Sequence, residues 1–307
     1  MPITSFHNSH HGKVLSLRNA TFSPMNLSRF VWQPCQQVES LDQHCTRFIF
    51  EDRDINGYGA AYQLDDTHFR LNLIVDPNRT REGIGSLLLQ RIEDEVIQAA
   101  GKYLQARLLE GMPSSLEFAL ARGFIQIHLM RGMSLHADDF SFSKWTGLGQ
   151  RLLSRGFLVT TLKDVLEADH NALDKLASLY KLAREGWPSP DPSWRIDSSV
   201  ESLRAPFTRA TYPERFSIMK YKDRYVGFTS AKNLATGTGV HPGYRNLGIA
   251  TYLKAYDINR CIEGGEKYFE SASASEAMQR VNKKLGYGFN GVSEVRLVKE
   301  LTKQRAV

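Results

Sequence analysis

The strongest constraint on the fold is an internal repeat: two segments of the chain follow one pattern, 165 residues apart (242 − 77 and 248 − 83). The first contains LIVDP, NRTRE and GIGSLLL, and the second contains TGVHP, GYRNL and GIATYL. The matched positions are Pro77 with Pro242, Gly83 with Gly248, and Gly85 with Ala250. Gly123-Phe124 and Gly286-Tyr287 continue the match at a spacing of 163 (286 − 123). An internal repeat reports copies of one structural unit, so the sequence predicts two similar domains.

Each copy is predicted to alternate strands with helices. Residues 68–75 are rich in β-formers, and the apolar residues after the turn recur every four positions, as on one helical face. A helix over 168–185 is expected in the second copy. We place the domains at 1–145 and 156–307, because a polar, glycine-rich stretch separates them. Residues 1–45 show no clear first strand, so the N-terminal domain is expected to be divergent, with that element absent, remodelled or supplied by the second half.

Composition and charge narrow the environment and the partners. The chain is 42% hydrophobic and 23% charged, a profile typical of globular proteins, and no apolar run reaches the roughly 18 residues that span a bilayer. The N-terminus lacks the apolar core of a signal peptide, which predicts a cytoplasmic protein without a membrane partner. The three cysteines, Cys35, Cys45 and Cys261, are widely spaced and predict no metal site. The net charge of +6 is scattered, which suits a small polyanionic cofactor and argues against nucleic acid.

The second copy contains a turn that is suited to phosphate. Arg245-x-x-Gly248-x-Ala250 lies between a strand that ends at Val240 and a helix. Small residues let the backbone approach an anion, and the free N–H groups of a helix N-terminus point towards it. Arg245 adds a fixed positive charge with several donors. A glycine pair alone also fits a tightly packed turn, so the strand–turn–helix context carries the prediction.

Two motifs resemble those of the Gcn5-related N-acetyltransferase (GNAT) superfamily. TGVHPGYRNLGIATYLKAYDI resembles its acetyl-CoA signature, Q/R-x-x-G-x-G/A, and SEAMQRVNKKLGYGF resembles its second motif. The resemblance covers about 157–301 and, more weakly, 69–135. It implies an α/β (α+β) chain of two GNAT-like domains, each a mixed, mostly antiparallel central sheet flanked by helices. The tandem arrangement is similar to that of mycothiol synthase-like acetyltransferases.

The resemblance also implies a cofactor, acetyl-CoA, and the residues that hold it. Backbone groups of Thr238, Gly239 and Val240 would pair with the pantetheine arm. The pyrophosphate would lie on amides of the following turn and helix, with Asn282 beside the thiol. The turn and helix residues implied are Arg245, Asn246, Leu247, Gly248, Ile249, Ala250 and Thr251.

The first copy departs from the signature. Thr80 stands where the second copy has Arg245, and Glu82 follows where a carboxylate would oppose a pyrophosphate. Gly83 and Gly85 are intact, and Arg81 is a substitute phosphate partner. Cofactor binding there, with Leu73 and Val75 on the preceding strand, is weighed against a structural copy that has lost function.

The catalytic groups are less well marked. The family's tyrosine acid corresponds to Asn282 in the second copy and Ala119 in the first, so the resemblance implies no acid in either. Glu270 and Tyr287 remain as candidates, each weighed against a purely structural role: a surface carboxylate and a core ring.

Three functions follow. The first is an acetyl-CoA-dependent N-acetyltransferase with its chemistry in the C-terminal domain, acting on a primary amine of a small molecule or a protein terminus. The second is a non-catalytic acyl-CoA-binding regulatory module. The third, supported only by the positive charge, is a transferase that uses an aminoacyl-tRNA or a longer acyl chain. The sequence is silent on the oligomeric state.

Overall fold

The computed structural model describes residues 3–22, 45–185, 198–231 and 237–301. Cys35, the breaker cluster at 187–192 and residues 234–236 lie outside this range. Its elements form two compact units: unit 1 takes Met1–Met130 and Val292–Val307, and unit 2 takes Arg131–Gly291. The chain leaves unit 1 within strand β6 (Ile125–His136) and returns within strand β12 (Gly288–Glu300). The packed units therefore differ from the repeat boundaries at 1–145 and 156–307, which remain a prediction about the two sequence copies.

Unit 1 is built on a sheet with the strand order β1-β2-β3-β4-β5-β12. The first five strands are β1 (Ile3–Ser5), β2 (Cys45–Asp52), β3 (Asp54–Gln63), β4 (His68–Val75) and β5 (Tyr103–Leu109). All neighbours are antiparallel except β4 and β5, which are parallel. A short first strand is therefore present before residue 45, and the strand that the second half supplies is the last one, β12.

Helices cover both faces of this sheet. Helices α2 (Ile84–Gln98) and α3 (Pro113–Leu120) contribute to a core with Phe69, Leu104 and Leu297 on one face. Helix α1 (His11–Phe22) packs through Val14 and Leu17 on the other. Side chains alternate along a strand, so Leu71, Leu73 and Val75 face α2, whereas Arg70, Asn72 and Ile74 face the α1 side.

Unit 2 has an antiparallel sheet ordered β10-β9-β8-β7, and its part of β6 pairs with β11. The strands are β7 (Phe157–Thr161), β8 (Ser217–Tyr221), β9 (Arg224–Thr229), β10 (Thr238–Val240) and β11 (Tyr268–Ser273). The helices are α4 (Thr146–Ser154), α5 (Leu162–Ala168), α6 (Ala172–Arg184), α7 (Val200–Thr208), α8 (Ile249–Glu263) and α9 (Glu276–Lys284). In the part of the chain that the structure describes, no helix is long and apolar enough to span a membrane.

The helix expected over 168–185 is present as α6, but it begins at Ala172 because the chain breaks at Asp169. This residue has an extended backbone, and its carboxylate accepts hydrogen bonds from the Asn171 amide, Lys175 Nζ and Tyr225 Oη. The Asp169 carboxylate accepts from all three donors where the chain turns between α5 and α6. Its hydrogen bond from the Asn171 amide competes with continuation of the helix.

Candidate functional site

The two turns of the repeat have the same backbone. A 3₁₀ turn, Pro77–Arg79 or Pro242–Tyr244, follows β4 or β10, and a glycine with positive φ (86° at Gly83, 87° at Gly248) begins a 15-residue helix. Arg81 and Asn246 also match, with φ of 68° and 65°. The 165-residue register therefore corresponds to two turn–helix units with the same sequence of backbone conformations, each ending in the free amides of a helix N-terminus.

The unit 1 turn is open. A Cβ placed on Gly83 would meet no atom within 4 Å, and one on Gly85 would touch the ring of Phe118 at 3.3 Å. The amides of Gly83, Ile84 and Gly85 are thus accessible at the positive end of α2, which makes this turn a ready anion site. We call these three residues the unit 1 cradle.

The charged side chains around the unit 1 cradle favour the binding of an anion. Glu82 does not oppose a phosphate, because its Oε2 accepts a hydrogen bond from Arg79 Nε at 2.7 Å. Arg81 is 79% exposed and reaches Glu117 only at 3.5 Å. Arg122 lies over the Phe118 ring, 3.7 Å from its centre, and donates to Ser86 Oγ, a neutral acceptor. Arg81 and Arg122 therefore remain available to a polyanion.

A cleft leads inward from this cradle. Strands β4 and β5 are paired only at 68–70 with 103–105 and then part, which leaves the β5-side edge of β4 open from Leu71 to Val75. The cavity measures about 1230 Å³, and the open edge and the cradle both line it. A parted pair of parallel strands that ends at a helix N-terminus offers backbone donors along one wall and an anion site at the end.

Charged side chains occupy the inner end of the cleft. Arg70 on β4, Arg107 on β5 and Glu294 on β12 line it. Glu294 Oε1 accepts from Arg296 Nε at 2.7 Å and lies 3.7 Å from Arg107 Nε. Burial and the neighbouring Arg107 and Arg296 together lower the pKa of Arg70 to about 10. Sequence reasoning missed this group because its members come from three strands and lie up to 224 residues apart (294 − 70).

The unit 2 turn is covered. A Cβ on Gly248 would lie 2.9 Å from Leu148 of α4, and Leu148 and Leu247 pack on one apolar cluster with Val240. The guanidinium of Arg245 donates to the backbone carbonyls of Val240 and Ala183, each at 3.3 Å. In unit 2, therefore, the side chain of Leu148 packs against the glycine that would face a phosphate. The signature arginine, Arg245, links β10 to α6 through its hydrogen bonds.

The other residues expected at the unit 2 cofactor site are engaged in packing. The Thr238 hydroxyl hydrogen-bonds the Thr229 hydroxyl at 2.7 Å, and a Cβ on Gly239 would clash with Phe228 at 2.3 Å. Ile249 and Thr251 are buried. Ala250 is half-buried and Asn246 is exposed on the turn.

The expected catalytic and thiol-flanking residues of unit 2 are inside it. Asn282 is fully buried and donates to Ser271 Oγ at 3.0 Å. Tyr287 is 5% exposed in an apolar cluster, and burial raises the pKa of its hydroxyl well above the usual range. Glu270 lies on β11, and its buried Oε1 has no hydrogen-bond partner among the described residues. The structure does not gather these side chains with the Gly248 turn into an open cleft.

A family match falls on the open copy of the repeat. The sequence model of the acetyltransferase (GNAT) family matches residues 13–124, which run from α1 through the cradle to Gly123-Phe124. Residues 13–124 are a GNAT-family domain. The matched half is the one that the sequence motifs had marked as the more divergent. No curated protein matches the chain.

Solved structures extend the fold assignment to the whole chain. A Gcn5-related N-acetyltransferase from Sphaerobacter thermophilus superposes with a TM-score of 0.69 at 16% identity, over 100% of this chain and 97% of that one. A tandem GNAT protein from the clavulanic acid biosynthesis pathway gives 0.65 at 16%, over 99% and 98%. A glucosamine N-acetyltransferase region of a fungal β-N-acetylglucosaminidase gives 0.73 at 12%, over 97% and 38%. At these identities the likeness shows the fold, so the predicted two-domain GNAT architecture and its mixed, mostly antiparallel sheets are confirmed.

Proposed function

We propose that this GNAT protein is an acetyl-CoA-dependent N-acetyltransferase whose cofactor binds in unit 1. The open cleft that ends at the unit 1 cradle carries this proposal. It moves the cofactor from the C-terminal copy, where the signature residues favoured it, to the N-terminal copy. Leu148 packed on Gly248 gives the physical reason, because a pyrophosphate needs the space that this side chain fills.

The residues present fit the cofactor at both ends of the cleft. Amides of Gly83, Ile84 and Gly85 would receive the pyrophosphate, and Arg81 and Arg122 would add charge-assisted hydrogen bonds. Backbone groups of β4 between Leu71 and Val75 have no strand partner on the β5 side, so they would pair with the amide groups of the pantetheine arm. This assignment keeps Leu73, Val75, Arg81, Gly83 and Gly85 among the predicted cofactor residues.

The cleft also offers a proton acceptor. Among the described residues, two acidic side chains line it: Glu117 on α3 near the cradle, and Glu294 on β12 beside Arg107. Acetyl-CoA, when bound, would supply a thioester that acylates the amine nitrogen and releases the thiolate of CoA. Glu294 would take one proton from the incoming ammonium, and free backbone N–H groups of β4 would stabilise the developing oxyanion. The second proton of the nitrogen neutralises the thiolate, and Glu294 returns its own proton to solvent.

Unit 2 would then be a structural copy of the same fold. Arg245, Asn282 and Tyr287 are occupied by contacts inside it. The alternative of a non-catalytic acyl-CoA-binding module keeps the same cofactor site and differs only in turnover, so release of thiol with an amine panel separates the two.

The equivalent positions of the repeat supply a matched test. Arg81 and Asn246 are both exposed and both have positive φ, which Asp tolerates better than most residues. In calorimetric titration with CoA, we expect Arg81→Asp to weaken binding by about 10-fold or more, since one phosphate contact is replaced by repulsion. Asn246→Asp is expected to leave the affinity unchanged. The opposite result, with loss only in Asn246→Asp, would return the cofactor to unit 2.

A further inference from the structure

The guanidinium group of Arg70 is positioned to bind an anion. Its Nε is buried, and among the described residues it has no hydrogen-bond partner. A guanidinium carries five donors in a fixed fork, and leaving one of them buried and unpaired costs free energy. Arg70 projects from the α1 side of β4 and lines the cleft. Tyr62, its cross-strand neighbour on β3, lines the same wall.

The charged side chains that the structure describes around Arg70 do not neutralise its guanidinium group. Arg107 lies on β5 two residues beyond Gln105, the register partner of Arg70, and Arg296 is the register partner of Arg107 on β12. Against these three guanidinium groups stands one carboxylate, Glu294, whose Oε1 is 2.7 Å from Arg296 Nε and 3.7 Å from Arg107 Nε. The inner end of the cleft therefore holds an excess of positive charge beside one partly engaged carboxylate.

The phosphates of the cofactor cannot be the anion that binds Arg70. Arg70 and Val75 are five residues apart on β4, which corresponds to about 16 Å along an extended strand, and the cradle lies beyond Val75. Arg70 instead lies where β4 and β5 begin to part, at the opposite end of the cleft from the cradle. Under the proposed function, that end receives the acceptor.

We propose that the acceptor is a zwitterion of the amino-acid type, whose carboxylate binds Arg70 and Arg107 and whose ammonium group faces Glu294. This inference rests on the proposed function and names the substrate class for the same site. Arginine suits a carboxylate because the planar fork matches its two oxygens. Glu294, held in place by Arg296, is then positioned to attract the ammonium group and to accept its proton.

The first test compares acids with their amides. The probes are the twenty standard amino acids, β-alanine and γ-aminobutyrate, each beside its carboxamide, with O-phosphoethanolamine as a phosphate-bearing amine. Thiol release from acetyl-CoA is the readout. We expect at least one free acid to be acetylated with a kcat/KM at least about 10-fold above that of its amide, since the amide lacks the charge-assisted contact. Equal use of acid and amide, preference for O-phosphoethanolamine, or no acetylation of any acid would overturn the proposal.

The second test uses variants. Arg70→Met is expected to raise KM for the preferred acid by about 10- to 100-fold while KM for its amide stays the same, and Arg70→Lys is expected to restore part of the difference. Arg91→Met is the control, because Arg91 lies on α2 paired with Glu95 and outside the cleft. If Arg70→Met lowers kcat equally for acid and amide, Arg70 acts on the thioester and the carboxylate proposal fails.

Titration with CoA separates this inference from the proposed function. If Arg70→Met and the wild-type protein bind CoA equally and acids are not preferred, only the substrate class is wrong. If the wild-type protein binds no CoA, the proposed function fails, and the substrate assignment fails with it.

Discussion

Replacing Arg70 by methionine is expected to stabilise the ligand-free protein. Burial lowers the pKa of this guanidinium from 12.5 to about 10, so the folded state disfavours its charged form. At about 1.4 kcal/mol per pKa unit the cost is roughly 3 kcal/mol, and partial exposure of the side chain reduces it to about 1–3 kcal/mol. The cost is fully present below pH 10 and is relieved only above it, so it applies in full at pH 7.

The assay is thermal unfolding by calorimetry at pH 7 without ligand. For a unit of this size, each kcal/mol corresponds to roughly 2–4 °C, so Tm should rise by several degrees in Arg70→Met. Arg91→Met is the control, because Arg91 is 48% exposed and pairs with Glu95 at 2.7 Å, and its Tm should change by less than about 3 °C. A fall in Tm for Arg70→Met would show that Arg70 stabilises the fold. It would refute the claim that its buried charge lacks a partner in the ligand-free protein. A stability gain combined with a loss of acceptor selectivity is the trade-off expected of a binding residue.

Four further results are expected. Wild-type protein should bind one CoA per chain in a calorimetric titration, and two sites per chain would contradict the covered unit 2 turn. Arg245→Ala should leave the affinity for CoA unchanged, because Arg245 is hydrogen-bonded to the carbonyls of Val240 and Ala183. Glu294→Gln should lower kcat by at least about 100-fold with CoA affinity unchanged, whereas Glu300→Gln, on an exposed position of the same strand, should not; equal rates in both would remove Glu294 from the mechanism. Burial raises the pKa of Asp257 from 3.8 to about 6 despite hydrogen bonds from Ser217 and the Ala231 amide, so its charged form opposes folding and stability should fall as pH rises from 4 to 6. Asp257→Asn should flatten that part of the pH profile measured by urea unfolding, and an unchanged slope would contradict this account.

The repeat was the most predictable part of the fold. Turn residues are set by local backbone needs, so the spacing from Gly83 to Gly248 predicted a turn followed by a helix in each copy. The structure has both turns, with matching dihedral angles and helices of 15 residues. The periodicity of the apolar residues likewise predicted α2, and the β-formers predicted β4 and β5. Family resemblance supplied the architecture, which the solved structures confirm.

Whether each turn is open or covered could not be predicted in this way. The residue types of Arg245 and Gly248 match the signature. Leu148 nevertheless packs on the glycine, although it lies 100 residues earlier in the chain (248 − 148). Thr80 and Glu82 depart from the signature, yet Arg79 pairs with Glu82 and leaves the cradle open. A motif records the groups that a site needs and not the distant side chains that pack on it or neutralise it.

The inner end of the cleft depends on a similar long-range event. Glu294 and Arg296 reach unit 1 only because β12 closes its sheet, an arrangement that no local pattern marks. The break between α5 and α6 depends on Tyr225, 56 residues after Asp169, for one of its hydrogen bonds. Contacts of this length depend on the packed fold, so short-range propensities do not reveal them.

The most direct test of the central claim is a crystal structure of the wild-type protein with CoA. The account predicts that the pyrophosphate lies within hydrogen-bond distance of the amides of Gly83, Ile84 and Gly85, with the pantetheine arm along β4 between Leu71 and Val75. A pyrophosphate on the amides of Gly248, Ile249 and Ala250, with Leu148 moved aside, would contradict it.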